Sequence, residues 1–333
     1  MARKGTNPQI PGQGQPVDAA TDLLWRDNNN FAEVFSKAVF NGTPIDPSKL
    51  RDLNAVESTM LRMTDGSTTT LKQTRDVIKS LDTGAWLVIL GIENQTHIDF
   101  LMPFRVYELN FINLARQVED IRKKHLAERK EAKEQGRQEN DRKTVSSDEY
   151  LGLFYSDDKL NPVITLVIYY GEEEWKRPLK LSDLFVETPF NSFADNMPMY
   201  LLDVRHMSKE KLDSYSPALN AFFGFLVYDH TDEFDNFIAE HKQTFSDLPD
   251  QTIDALIEIT HSPELVKYKK DYRTVKGGVN VCYGIQESNK RTFVEAAQRF
   301  GQTITATITA FVEQFHVSRQ DAEITVNKYW KKA

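Results

Sequence analysis

Asp76 and Glu93 are the residues whose types and spacing point most directly to chemistry. Glu93 stands in Ile92-Glu93-Asn94-Gln95, at the end of the nearly all-apolar run Ala85 to Ile92. In an extended strand Glu93 and Gln95 point to one face and Asn94 to the other. Asp76 lies 17 positions earlier, in the segment Arg75 to Leu81, and the tight loop Asp82-Thr83-Gly84 joins the two segments as an antiparallel hairpin would. Such a hairpin brings both carboxylates to one edge of a sheet. Two close carboxylates repel, and each stays protonated or gains a cation. Mg²⁺, or another divalent cation, takes one or two carboxylates, keeps several waters and accepts phosphate oxygens. It polarises a phosphodiester and lowers the pKa of an attacking water. The main-chain carbonyl of Asn94 could add a further oxygen ligand.

The elements that must position these residues follow from periodicity. Phe31, Val34, Phe35, Ala38 and Val39 fall at helical spacing, with Asn28 to Asn30 as candidate caps and Asn41-Gly42 as the break. Three strand-like segments come next: Ser58 to Met63, the weakest, then Arg75 to Leu81 and Ala85 to Ile92. The last is apolar enough to be covered on both faces. A long helix is expected from about Leu101, with Pro103 in its first turn, where a missing N–H costs little. It runs into the charged stretch Arg122 to Lys143, which holds nine Lys/Arg against five Asp/Glu. Pro162 to Tyr170 reads as another buried strand. Beyond Leu184 the sequence is expected to be mostly helical, over Leu219 to Phe237, Gln251 to Ile259 and Lys290 to Phe315, with Ser318 capping a last helix to Trp330.

The text along this order is also specific. NNNFAEVFSKAVFNG (28–42), RDVIKSL (75–81), LGIENQTHIDFLMPFRVYE (90–108), LNPVITLVIYYGEEEWKRPLKLSDLF (160–185), MYLLDV (199–204) and the weaker VKGGVNVCYGI (275–285) together resemble the Rpn family of recombination-promoting nucleases, also described as YhgA-like transposases. The blocks span most of the chain. The resemblance implies an α/β fold with a PD-(D/E)XK (restriction-endonuclease-like) core, αβββαβ, followed by a mainly helical C-terminal region. With the Gln/Gly/Pro-rich start read as a disordered tail (1–21), the chain is expected to hold a nuclease domain (22–187) with a charged helical insertion (122–150) and a mainly helical remainder (188–333). The resemblance implies a metal-dependent DNA endonuclease linked to recombination or transposition. On this chain Asp76 and Glu93 would be metal ligands and Asp76, Glu93 and Gln95 the catalytic set. Gln95 stands where the wider superfamily has a lysine, and glutamine supplies no positive charge. Arg105 and Lys79 are the candidate DNA contacts. Lys79 sits three positions after Asp76, so alternation turns it to the other face. Arg105, at the start of the long helix, is better placed to clamp a phosphate with two hydrogen bonds.

Blander readings stand beside these. Gln95 could serve as a structural hydrogen-bonding group, Arg105 could pair with a helix neighbour, and Glu33 could reach the site or stay on the surface. The charged stretch reads first as a solvated helix face, with a DNA-backbone contact as the alternative. None of the seven histidines has metal-ligand spacing. Phe315 to Ser318 with Ala322 faintly resembles the turn of a helix-turn-helix. The net charge of −8 argues against a protein that coats nucleic acid by bulk charge. One cysteine, Cys282, forms no internal disulfide, so a reducing, cytoplasmic setting is expected. No apolar run is long enough to span a bilayer, and Met1 to Pro16 lacks the apolar block of a signal peptide. The competing function is a catalytically inactive DNA-binding or interaction protein on a decayed nuclease core.

Overall fold

The computed structural model describes residues 19–62, 68–84, 87–135, 147–176, 178–189, 191 and 198–331, with the backbone alone along 56–74. By contacts the chain divides into two compact units, 1–215 and 216–333.

The first unit is mixed α/β. Helices α1 (Ala19–Arg26) and α2 (Asn28–Ala38) precede strands β1 (Leu50–Asp52), β2 (Val56–Arg62), β3 (Thr68–Thr74), β4 (Val77–Asp82) and β5 (Leu87–Gln95). The long helix α3 (Met102–Glu134), the short α4 (Ser147–Gly152), β6 (Val163–Tyr169), β7 (Tyr200–Asp203) and α5 (Lys209–Asp213) follow. One five-stranded sheet has the order β1-β4-β5-β6-β7. β4 is antiparallel to β5, whereas β5–β6 and β6–β7 are parallel. The strands β4, β5 and β6, which fall in the expected segments 75–81, 85–92 and 162–170, therefore share one mixed sheet, and residues 85–86 lie outside the described residues. The parallel step from β5 to β6 needs a long crossover, and α3 supplies it.

Several expectations are corrected. Ser58 to Met63 falls in β2, which pairs only with β3 as a separate two-stranded ribbon. The strand beside β4 is instead β1, too short to show a pattern. The residues of β2 and β3, VESTMLR and TTTLKQT, are rich in Ser, Thr, Lys and Gln and lack the apolar run of a central strand. β7 lies beyond position 187, in a stretch expected to be helical, and its pairing with β6 places it in the first unit. The cap of α2 is Asp27, whose carboxylate accepts from the N–H groups of Asn29 and Asn30. Of the expected tail, 19–21 form the first turn of α1, and 1–18 lie outside the described residues.

Alternation along β5 sorts the two faces. Odd positions turn toward α3: Arg75 lies over Gly91, and its guanidinium donates to Thr165 of β6 and Asn110 of α3. A Cβ at Gly91 would collide with the Arg75 guanidinium, so the close approach requires glycine there. Met102, Val106, Val167, Tyr169, Trp175 and Met199 form the apolar cluster on this side. Even positions turn toward α1 and α2, where Trp25, Phe31, Val34 and Phe35 are buried.

The second unit is helical over its described residues: α6 (Pro217–Tyr228), α7 (Phe234–Glu240), α8 (Lys242–Phe245), α9 (Asp250–Thr260), α10 (Pro263–Asp271), α11 (Val281–Arg299), α12 (Ile304–Phe315) and α13 (Arg319–Tyr329). The run expected as one helix over Lys290 to Phe315 breaks at Gly301, whose φ of +74° ends α11, and Thr303 caps α12. Leu219 to Phe237 breaks likewise after Tyr228, with His230 left-handed at φ +66°. Ser318 caps α13 as expected.

Candidate functional site

The site is built where β4 begins and β5 ends. Register pairs Val77 with Ile92, so Asp76 stands across from Glu93, one step past the paired strand. Side chains at such opposed positions share a face. The Asn94 N–H donates to Asp76 Oδ2 at 2.6 Å, so the main chain next to Glu93 holds the Asp76 carboxylate.

Glu93 is 2% exposed. Its Oε1 is buried with no hydrogen-bond partner among the described residues. Burial, then the Asp76 charge, push the Glu93 carboxyl far above its usual range, against the pull of Arg75 and Arg105. Burial likewise raises Asp76, against the Asn94 hydrogen bond and the Arg105 charge. Without a cation the pair holds a proton into the neutral range. That is the electrostatic signature of a site short of positive charge.

Asn94 is the hub behind the pair. Its side-chain Oδ1 accepts from Trp25 Nε1 at 3.0 Å and from the Tyr170 hydroxyl at 2.9 Å. Trp25 Nε1 also reaches the Tyr170 oxygen at 3.0 Å. These contacts fix which end of the amide points where, so Asn94 Nδ2 faces Asp22 Oδ1 at 3.4 Å. Asp22, on α1, is pushed up to about 7, first by burial and then by the Asp76 charge. In a strand the N–H and C=O of one residue leave on the same side. The Asn94 carbonyl therefore faces the Asp76 side, past the point where β4 begins.

Arg105 sits in the first turn of α3, its side chain 36% exposed. It donates to Asp99 Oδ2 at 3.1 Å while its charge reaches both Asp76 and Glu93. The ion-pair reading of Arg105 thus finds its partner in Asp99, just before the helix. Gln95 follows Glu93 by two and is half-buried, and its main-chain oxygen accepts from Tyr170 N–H at 2.8 Å.

Lys79 is not brought to the site. It is wholly buried. Its ammonium donates to Arg26 O at 2.8 Å, Asn28 Oδ1 at 2.9 Å and Asp52 Oδ1 at 2.5 Å. All of its donors are used in tying α1 and α2 to the sheet, which leaves none for a phosphate. Glu33 is also elsewhere, paired with Lys37 along α2. The acid that the first helices do contribute is Asp22, which sequence reasoning missed. Its signal is faint: one Asp in an eight-residue helix beside the presumed tail.

The charged stretch is largely engaged locally. Lys123 pairs with Glu119 at 2.7 Å, Arg122 donates to Gly152 O at 3.1 Å, and His125 packs on Tyr155 and meets Asp158 at 2.8 Å. Residues 136–146 of that stretch lie outside the described residues.

A cation fits the residues present. A buried carboxylate oxygen without a partner, a second carboxylate on the opposed strand and a carbonyl on the same side are the hard oxygen donors that Mg²⁺ selects. Among the described residues no group of three or more His, Cys, Asp or Glu is gathered closely enough to hold a metal ion. The fit therefore rests on two carboxylates with main-chain oxygen and water completing the shell, an arrangement usual for Mg²⁺. No described helix is long and apolar enough to cross a membrane.

No curated protein and no solved structure matches the chain. The family model does match one part of it. Residues 150–252, which carry β6, β7 and the helices from α5 into α9 but lie C-terminal to Asp76, Glu93 and Gln95, match the family described as "Putative transposase, YhgA-like", the family that the sequence blocks resemble.

Proposed function

We propose that the chain is a divalent-cation-dependent DNA endonuclease built on a PD-(D/E)XK-type core and linked to transposition or recombination. The observation that carries this reading is the buried, unpartnered Glu93 Oε1 on the strand opposite Asp76, whose carboxylate the Asn94 N–H holds. The match to a transposase family supports DNA as the substrate. The chemistry that a divalent cation, Mg²⁺ by donor type, supplies when bound in such a setting is Lewis acidity toward a phosphodiester oxygen and a lowered pKa for a bound water.

The chain's own residues then have distinct tasks. Asp76 and Glu93, with the Asn94 carbonyl, hold the cation. Gln95, on the Glu93 face, orients the attacking water or a phosphate oxygen by hydrogen bonding but adds no charge. Arg105 swings between Asp99 and a phosphate, and so supplies the positive charge that a lysine at position 95 would have given. Asp22, with its proton held to about 7, can exchange a proton near neutral pH. On this reading the nuclease domain is the first compact unit, and the one cysteine suits the reducing cytoplasm.

The competing reading, a DNA-binding or interaction protein on an inactive core, draws on one observation: Lys79 is sealed in the core and Gln95 is uncharged. Plasmid nicking separates the two. Wild type should nick supercoiled DNA with Mg²⁺ and not with EDTA. Asp76→Ala and Glu93→Gln should lose at least about a hundredfold in rate, the scale expected when an essential electrostatic group is removed. A Glu93→Gln protein that cuts like wild type would remove this glutamate from the site. A wild type that never cuts would leave the binding role.

A further inference from the structure

β5 runs on past the strand that pairs with it. The β4–β5 ladder ends at Val77 and Ile92. The N–H and C=O of Asn94 leave toward the β4 side, so they stand beyond that ladder. Gln95, one step on, faces the other way, and its oxygen accepts from the Tyr170 N–H at 2.8 Å. The Asn94 N–H is taken by Asp76 Oδ2 at 2.6 Å. Neither peptide group of Asn94 is therefore aimed by a paired strand on that side. The Asn94 side chain, wholly buried on the α1 side of the sheet, is gripped at both ends instead. Its Oδ1 accepts from the Tyr170 hydroxyl at 2.9 Å and from Trp25 Nε1 at 3.0 Å, and its Nδ2 faces Asp22 Oδ1 at 3.4 Å. Asp22 and Trp25 are three apart on α1, hence on one face of that helix. Burial holds the Tyr170 phenol protonated well above its usual range, so the hydroxyl stays a donor at any working pH.

We propose that Trp25 and Tyr170 are positioning residues for the cation site: by gripping the Asn94 amide they fix the main chain whose N–H holds Asp76 and whose carbonyl is a ligand. This role rests on the proposed function above and deepens it. A strand residue inside a sheet has its peptide groups aimed by the neighbouring strand. Asn94 lacks that guide at the one place where a carboxylate and a cation must both be held. An amide with partners at both ends neither flips nor swings, and the main chain to which it is joined is held with it. Tyr170 follows β6 and Trp25 belongs to α1, so two elements remote in sequence converge on this one residue. Partners that orient ligands without touching the metal commonly carry about 10–100-fold of the affinity for it. The first helix is thereby a working part of the site, although it supplies no ligand in this reading.

The test uses the full chain without DNA and takes Mn²⁺ as the cation, because free Mn²⁺ is counted directly by electron paramagnetic resonance. Glu93→Gln marks the site by releasing its Mn²⁺. Tyr170→Phe keeps the ring and removes only the hydroxyl. It should weaken Mn²⁺ binding about tenfold, the scale of losing one such partner, and Trp25→Phe should do likewise. Phe35→Leu, a buried truncation in α2 that removes no hydrogen bond, should lower stability yet leave the Kd within about twofold. Asn94→Ala keeps the N–H and the carbonyl but drops the amide. In that background Tyr170→Phe should cost less than about twofold more, because the hydroxyl acts through the amide. A Tyr170→Phe protein that binds like wild type would overturn the proposal. So would an undiminished loss in the Asn94→Ala background, or an equal loss in Phe35→Leu, which would assign the effect to general loosening. A wild type that holds no Mn²⁺ released by Glu93→Gln would sink the cation site itself, and the positioning role with it. Binding by wild type with no loss in Tyr170→Phe would sink the positioning role alone.

Discussion

A buried glutamate that lacks a partner is costly in the folded state, and Glu93 shows how the cost is arranged. The Asn94 N–H holds Asp76 in place, while burial raises both carboxyls and the Asp76 charge raises Glu93 further. The linkage sign follows. A carboxyl raised in the folded state keeps its proton where the unfolded chain has lost it. Its contribution is therefore full below the unfolded value of 4.5 and is lost as pH rises toward the folded value of about 8. In EDTA, wild-type stability should fall between pH 5 and 8, whereas Glu93→Gln should follow a flatter curve and be the more stable at pH 8, by on the order of 2 kcal/mol. Saturating Mg²⁺ should reverse the order, since the cation replaces the proton and binds more tightly as pH rises. Urea unfolding at three pH values, with and without Mg²⁺, checks both. Parallel curves for the two proteins in EDTA would mean that Glu93 is not the strained acid described here.

At the scale of elements, the same physics builds a hub of opposite sign in the helical unit. Glu287 of α11 is 7% exposed, and its carboxylate accepts from the Tyr329 hydroxyl at 2.7 Å, Lys328 at 3.0 Å and Lys290 at 3.0 Å. Burial alone would raise this carboxyl, but these hydrogen bonds carry it down to about 2. Here the stabilisation is present above the unfolded value of 4.5 and lost as pH falls through about 2. Glu287→Gln keeps the shape but weakens three charge-assisted bonds, of which those from Lys328 and Tyr329 tie α13 to α11. It should cost about 2 kcal/mol at pH 7, and the deficit should shrink below pH 4. Equal losses at pH 7 and pH 3 would assign the effect to packing instead.

These elements also show what was legible in the sequence. The apolar runs that became β5 and β6, and the helical stripe of α3, were readable because burial on one or both faces leaves a long pattern. The pairing of Asp76 with Glu93 was readable because a short loop fixes register. β1 and β7, three and four residues long, leave no pattern to read. β2 gave a weak strand signal but no sheet membership, and the Thr-rich β3 was not read as a strand. Lys79 was readable only as a cation, since its burial depends on Arg26 and Asn28 arriving from another element. Asp22 was hidden for the same reason: its partner Asn94 is 72 positions away.

For the whole molecule, the two networks lie in different compact units, the carboxylate pair within 1–215 and the Glu287 hub within 216–333. Each should report in the unit that holds it. A ligand that binds only the folded site stabilises by RT ln(1 + [L]/Kd), about 3 kcal/mol at a hundredfold excess over Kd. Mg²⁺ should therefore slow amide exchange most in the strand ends around Asp76 and Glu93 and in α1, where Asp22 and Trp25 meet Asn94. Glu287→Gln should speed exchange in α11 and α13 first, because fraying starts where the lost bonds were. Hydrogen exchange followed by mass spectrometry resolves both at the level of peptides. In Glu93→Gln the Mg²⁺ effect should vanish while the effect of Glu287→Gln persists. Mg²⁺ protection that survives Glu93→Gln would place the cation elsewhere on the molecule. Protection spread evenly over the chain would point to general salt effects instead of a site.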